Sequence, residues 1–440
     1  MTATDQISDE EMDEEMHEKM DDDIRRRGPT RFIAALTLLL VLAVAGTYLG
    51  LVLTAPLPAA KVSISQPSVT VGETAPIAAP AHGSSLTRIV PAGPILGATT
   101  LIAAGGPANS SDPLPIASIT KLITALVILD AKPMAQGELG PTITFTKADS
   151  DLYDDYYVRQ ATVQPMKSGS TMTLHDALEM MLVASASNYA EAVSTWSYGS
   201  QSRFLTATRT WLTKNGLLST TIVEPTGLDP RNLSTMDDLI LLADLALAHP
   251  VVAEIVAMPK TSIDGVDPTN NNNDLVGTLG IDGIKTGTLP AAGSCLLYSA
   301  TVMTDAGVPV RVTGVILGGE NRYSVGNDVR ALIESVQRYP QTVTLIEAGA
   351  RLGSYTTSWG ATAALVAGSS ASVVTWGAFP VVTDIATRQL YTGKEGADFG
   401  KLTFGLGADN PIGVPLVLGG AISEPDAWWR ITHPQELLAR

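Results

Sequence analysis

The chain has 440 residues, of which 45% are hydrophobic and only 5% aromatic, with a net charge of −16. That length allows two or three domains, and the acidic balance argues against a nucleic-acid partner. One cysteine, Cys295, excludes an internal disulfide framework, and five histidines without a His-x-x-x-His pair speak against a zinc enzyme, so no metal or organic cofactor is expected.

Residues 1–31 form an acidic tail, expected on the cytoplasmic side. Up to Arg27 it holds eleven of the 44 acidic residues and four of the 28 basic ones. Met12, Met16, Met20 and Ile24 recur every fourth residue, with acidic groups first and Arg25, Arg26 and Arg27 last, which suits a helix dipole. The expected state is still a solvated, mostly disordered tail, with a short docking helix as the alternative. Residues 32–54 are uncharged and apolar, about 23 in a row, enough to span a bilayer. Arginines precede the run, so the positive-inside rule puts the N-terminus in the cytoplasm and the rest of this single-pass chain outside. A cleaved signal ending near Ala59 or Ala60, giving a secreted protein, is the alternative. Residues 55–86, rich in Ala, Pro, Ser and Thr, read as an extended linker, with a folded domain from near Arg88. Residues 95–104 read as a buried strand ending at Gly105-Gly106.

The stretch PIASITKLITALVILD, residues 115–130, reads as a buried helix, apolar on nearly all sides. It carries Ser118 and Lys121 at i and i+3, one turn apart on one face. A lysine in such a helix is costly unless its charge is used or paired. In an apolar setting its pKa falls, and it can act as the base that a serine nucleophile needs. The helix N-terminus adds N–H groups that favour developing negative charge. About one Ser-x-x-Lys is expected by chance in such a chain, so the pair needs companions. Residues 176–194 read as a second helix broken around Ser185 and Asn188 by small polar residues. Further on, Lys285-Thr286-Gly287-Thr288 closes an apolar strand, with a new hydrophobic run starting at Cys295.

Ser-x-x-Lys, Ser-x-Asn and Lys-Thr-Gly in this order are the working set of penicillin-binding proteins and class A β-lactamases. From PIASITKLITALV through TGLDPRNLSTMDDLILLADLAL to VGTLGIDGIKTGTLPAAGSCL, the chain resembles the D-alanyl-D-alanine carboxypeptidases among the low-molecular-weight penicillin-binding proteins. The resemblance implies an α+β, transpeptidase/β-lactamase-like catalytic domain, residues 87–340, with an antiparallel sheet between helices and a helical cluster. It also implies roles: Ser118 acylated, Lys121 its base, Ser185 a proton relay, and Lys285 with Thr286 holding a substrate carboxylate. Gly287 allows close backbone approach, and the N–H groups of Ser118 and Thr288 form an oxyanion hole. The substrate implied is a peptidoglycan stem peptide ending in D-Ala-D-Ala, with β-lactams as inhibitors. One departure stands out. Ser187 occupies the place of the family's asparagine, so Ser187 and the neighbouring Asn188 are both candidate substrate contacts.

Residues 341–440 are β-rich runs separated by Gly, Ser, Pro and Asp, read as a small all-β domain with Trp428 and Trp429 buried in it, anchoring of the two at a surface being the alternative. Two rival functions remain at this level. A non-catalytic peptidoglycan-binding scaffold is motivated by Ser187. A β-lactamase is disfavoured, because no Glu-x-x-x-Asn lies between Ser185 and Lys285.

Overall fold

A computed structural model describes residues 9–69, 77–93, 95–96, 101–377, 379–407 and 409–438. The expectations for residues 1–8 of the tail and 97–100 of the predicted strand lie outside these. Helix α1 (Asp9–Thr54) runs without interruption from the acidic segment through the apolar one. The tail backbone from Asp9 is therefore helical rather than disordered, in keeping with its fourfold spacing and charge order. Strands β1 (Lys61–Ile64), β2 (Ser84–Pro91) and β3 (Leu101–Gly105) follow. The linker expectation is corrected here in two ways. Residues 61–64 pair antiparallel with residues 353–356, and the folded region starts at Ser84 rather than near Arg88.

The middle of the chain alternates short strands and helices: β4 (Leu114–Pro115), a 3-10 turn (Ala117–Ile119), α2 (Thr120–Ala131), β5 (Thr142–Thr144), α3 (Lys147–Tyr157), β6 (Thr171–Thr173), α4 (Leu174–Leu182), α5 (Ser187–Tyr198), α6 (Gln201–Lys214), β7 (Leu233–Ser234), α7 (Met236–Ala248) and α8 (Pro250–Val256). Thr146, Thr173, Ser200 and Thr235 each cap a helix by accepting a bond from a backbone N–H in its first turn. Helix α2 is apolar all round because it is surrounded, with α4, α5, α6 and α7 as neighbours.

Three long strands then build the main sheet: β8 (Ile281–Leu289), β9 (Gly293–Met303) and β10 (Pro309–Gly319), followed by α9 (Arg322–Arg338). The sheet is antiparallel, in the order β3-β2-β10-β9-β8. Its central strands read as continuous hydrophobic runs because both faces are covered. In β9, Cys295 and Leu297 enter the helical core, while Leu296, Tyr298, Ala300 and Val302 enter the core under α9. Helices α7 and α8 lie on one face and α9 on the other. Arg88 of β2 forms a two-pronged ion pair with Asp244 of α7, which ties that helix to the sheet.

The remaining strands are β11 (Gln341–Ile346), β12 (Arg351–Thr356), β13 (Thr362–Ala367), β14 (Ala371–Thr375), β15 (Val382–Thr387), β16 (Asp398–Leu406) and β17 (Asp409–Leu418). They form a six-stranded sheet, β1-β12-β13-β17-β16-β15, beside the β11-β14 pair, around their own core. Leu96 bridges to Thr375, so residues near the predicted 95–104 strand touch this region. Two short helices, α10 (Ala427–Thr432) and α11 (Pro434–Leu438), end the chain, so this part is not purely β. They pack on the end of α1: Val52, Ala55 and Leu437 cluster with Trp429 and Ile431. Tyr48 donates to the Ile431 carbonyl at 2.6 Å and Arg430 to the Ala55 carbonyl at 2.8 Å. The expectation that both tryptophans are buried is corrected: Trp429 is half-buried against α1, whereas Trp428 is 72% exposed.

Candidate active site

The 3-10 turn at Ala117–Ile119 and the first turn of α2 place Ser118 and Lys121 together. Ile116 and Ile119, both fully buried, clamp the turn from either side. Ala117 sits at φ 45°, a left-handed conformation that costs a residue with a Cβ roughly 1–2 kcal/mol. Such strain persists where the surroundings over-determine it. Lys121 is fully buried, and its Nζ lies 2.8 Å from Ser118 Oγ and donates to the Thr226 carbonyl at 2.7 Å. Burial pushes its amine down to about 7, against the opposing pull of Glu224. A lysine at that value is poised to exchange a proton with a hydroxyl near neutral pH.

Ser185 sits in the break between α4 and α5, buried, at φ 60°. The predicted 176–194 helix is therefore two helices, and the left-handed serine is the reason for the break. Lys285 of β8 is also buried, and its Nζ donates to Ser185 Oγ at 2.9 Å and to the Thr286 carbonyl at 3.1 Å. Burial, then the nearby charges of Lys121 and Arg322, hold the Lys285 amine well below the usual lysine range. Strand β8 is an edge strand, paired on one side only. Gly287 passes directly against the nucleophile turn, with Thr286 half-buried and Thr288 exposed beside it. The structure thus brings Ser118 and Lys121 to Gly287, and Lys285 to Ser185, from segments as far as 169 residues apart in the chain.

The two remaining predicted contacts differ. Ser187 opens α5, buried, and its N–H donates to the Thr162 carbonyl at 2.8 Å. Asn188 is corrected: both ends of its amide are committed to Gln164, with Nδ2 donating to the carbonyl at 2.7 Å and Oδ1 accepting from the N–H at 3.1 Å. One residue further along the helix, its side chain serves the 161–166 segment instead of the cleft. Sequence reasoning did not assign roles to Glu224, Thr226 and Asn232, whose loop supplies the carbonyl on Lys121. The Pro-Thr-Gly turn in that stretch was the available signal. Beside this loop lies a cleft lined by Tyr156, Arg159, Glu191, Leu228 and Leu289.

Elsewhere, His175 of α4 lies 3.3 Å from Glu179 and 3.9 Å from Asp176. Hydrogen bonding to Glu179 raises the His175 pKa despite burial. Glu179 also accepts from the Ser262 N–H at 2.8 Å. The Ser262 N–H and the nearby imidazole are the groups that face this buried carboxylate.

A protein-family model described as D-alanyl-D-alanine carboxypeptidase matches residues 106–321. The D-alanyl-D-alanine endopeptidase of Pseudomonas aeruginosa is 29% identical over 54% of this chain and 74% of its own length. D-alanyl-D-alanine carboxypeptidase DacC of Escherichia coli is 30% identical over 54% of this chain, and the chain spans 59% of that relative. The crystal structure of penicillin binding protein 5 from Haemophilus influenzae shares the fold, with a TM-score of 0.50 at 18% identity, covering 82% of this chain and all of that one. The matched stretch runs from before Ser118 to beyond Thr288, and over it the chain is similar to the D-alanyl-D-alanine carboxypeptidase family of serine peptidases.

Proposed function

We propose that the protein is an anchored, extracytoplasmic serine carboxypeptidase that removes the terminal D-alanine from peptidoglycan stem peptides. The observation that carries this reading is the 2.8 Å contact between Ser118 Oγ and the buried Lys121 Nζ, set against the unpaired edge of β8. Lys121, neutral above about pH 7, takes the Ser118 proton as Oγ attacks the carbonyl between the two D-alanines. The N–H groups of Ser118 and Thr288 receive the oxyanion. Ser185 passes a proton to the departing amine, and water then hydrolyses the acyl-serine. Lys285 and Thr286 hold the terminal carboxylate, whose charge offsets the desolvation that depresses Lys285. An extended peptide fits the unpaired edge of β8, and the cleft beside Leu289 has room for the rest of the stem. β-Lactams, which present a strained acyl group to the same serine, are the expected inhibitors. The scaffold alternative gains nothing from the site, where Ser118 lies within bonding distance of Lys121 and Ser185 of Lys285.

For localisation, the Arg31–Thr54 segment is long and apolar enough to cross a membrane. The arginines before it favour a cytoplasmic N-terminus, and the packing of α10 and α11 on its far end favours retention over cleavage. A second reading, hydrolysis of the same kind of bond in cross-linked peptides, is favoured by the likeness to an endopeptidase. One experiment tests both. The full chain in detergent is incubated with a D-Ala-D-Ala pentapeptide and with a cross-linked muropeptide dimer, and with a fluorescent penicillin to locate the acylated residue. Release of D-alanine with label on Ser118 supports the carboxypeptidase. Dimer cleavage alone supports the endopeptidase, and label on another serine overturns both.

A further inference from the structure

The loop that meets Lys121 is built around one carboxylate. Glu224 Oε2 accepts from the Thr226 N–H at 2.8 Å and from the Thr226 hydroxyl at 2.6 Å. Its Oε1 accepts from the Gly227 N–H at 2.6 Å, the Asn232 side-chain amide at 2.8 Å and, at 3.4 Å, the Asp229 N–H. Asn232, fully buried, closes the loop by also donating to the Glu224 carbonyl and to Thr120 Oγ1, while its Oδ1 accepts from the Val223 N–H. The backbone this network fixes is the one that touches the catalytic pair. The Thr226 carbonyl accepts from Lys121, and the Pro225 carbonyl accepts from Thr124 of the same helix at 2.8 Å. Gly227, at φ 86°, presses so closely on the nucleophile turn that a Cβ there would meet the Ala117 carbonyl at 1.9 Å.

We infer that Glu224 is a positioning residue for the general base: its carboxylate folds residues 224–232 into a cradle that aims Lys121 at Ser118 and supplies the negative charge that faces it. The inference rests on the reading of Lys121 as the base of acylation. With five donors on its two oxygens, the carboxylate has no lone pair left to activate water, so it holds the lysine rather than moving a proton. The charged groups acting on Lys121 and its neighbours are few. Glu224 faces it from the loop and Lys285 from β8, with Arg322 of α9 beyond Lys285. Glu191 of α5 is engaged by Tyr156 of α3.

The test is the pH dependence of Ser118 acylation by a fluorescent penicillin, using the full chain in detergent, for wild type, Glu224→Gln and Glu224→Asp. The rate rises with pH as Lys121 loses its proton. In Glu224→Gln the lost charge moves that rise to lower pH. Because one end of the amide must then face N–H donors, the plateau falls by roughly 100-fold, as expected for a misplaced catalytic group. Glu224→Asp keeps the charge, leaves the rise where it was and lowers the plateau. A loop of structural importance alone would lower plateaus without moving the rise, so an unmoved rise in Glu224→Gln overturns the inference. If Glu224→Gln shows no cooperative melt, Glu224→Asp decides through plateau and melting temperature together: a lowered plateau at a wild-type melting temperature supports the inference, and a wild-type plateau, or one lowered only alongside a lowered melting temperature, overturns it. Failure of wild type to label Ser118 would instead remove the catalytic reading itself.

Discussion

A Cβ added to Gly287 would stand 2.9 Å from the backbone nitrogen of Ser118, and equally close to the Cβ of Ala117. The glycine of the Lys-Thr-Gly strand is thus explained by the nucleophile turn it touches, in addition to any approach by substrate. Gly287→Ala must push β8 and the turn apart, because the atoms it meets are backbone and a side chain too short to swing aside. Overpacking of this kind costs about 1–3 kcal/mol, and displacement of reacting groups by about 1 Å costs roughly 100-fold in rate. Penicillin acylation of Gly287→Ala is expected to fall by that order, with a lowered melting temperature. Wild-type rates from this variant would show that the contact is not what sets the site.

The pH profile of wild type follows from Lys121. Its amine is held near 7 by burial, and only the neutral form accepts a proton. Acylation is therefore expected to rise through neutral pH and level off above it, roughly a hundredfold between pH 5 and pH 8. Lys121→Ala should remove the rise and slow acylation by about 10²–10⁴-fold. A flat wild-type profile from pH 5 to 8 would reassign the base.

Ser187 and Asn188 now separate. Ser187→Asn should restore an amide able to reach a substrate carbonyl, a bond worth about 0.5–1.5 kcal/mol, which is roughly a 2- to 13-fold gain in kcat/KM. The gain should appear with a D-Ala-D-Ala peptide and be absent with a small thioester that lacks the amide. Asn188→Ala leaves both backbone groups of Gln164 without their partners. It should lower stability by about 1–3 kcal/mol, read by denaturant unfolding. If Asn188→Ala abolished peptide turnover at unchanged stability, the substrate contact would belong to Asn188 after all.

The seat of α10 on α1 predicts where the C-terminus lies. Tyr48 and Val52 belong to the apolar helix, so α10 beside them must sit at the bilayer surface if that helix spans it. Exposed Trp428 would then enter the interfacial region where tryptophan partitions favourably. Quenching of tryptophan fluorescence by lipids brominated near the headgroup should be strong in wild type and weaker in Trp428→Phe. Equal quenching in the two proteins would place Trp428 in water. Protease added outside intact cells should remove the domains after Thr54 and spare a tag at Met1.

Local chemistry was legible in the linear sequence. The Ser118–Lys121 spacing states its own geometry, because residues three apart on a helix share a face. The Lys285–Thr288 strand and the apolar span at residues 32–54 are equally self-contained. The family resemblance ordered these pieces and supplied the fold class. What remained illegible depends on partners far along the chain. Residues 61–64 look like linker because their strand pairs only with β12, almost 300 residues later. Asn188 looks like a ligand until the fold brings Gln164 to both ends of its amide. Trp428 and Trp429 are neighbours in sequence, yet one packs on α1 and the other faces out. Glu224 carries no motif at all; its part beside Lys121 exists only because the loop after it folds back on its own carboxylate and lays Gly227 against Ala117. Spacing can say which groups share a face within one element. Which groups share a pocket is decided by the burial that closes the fold.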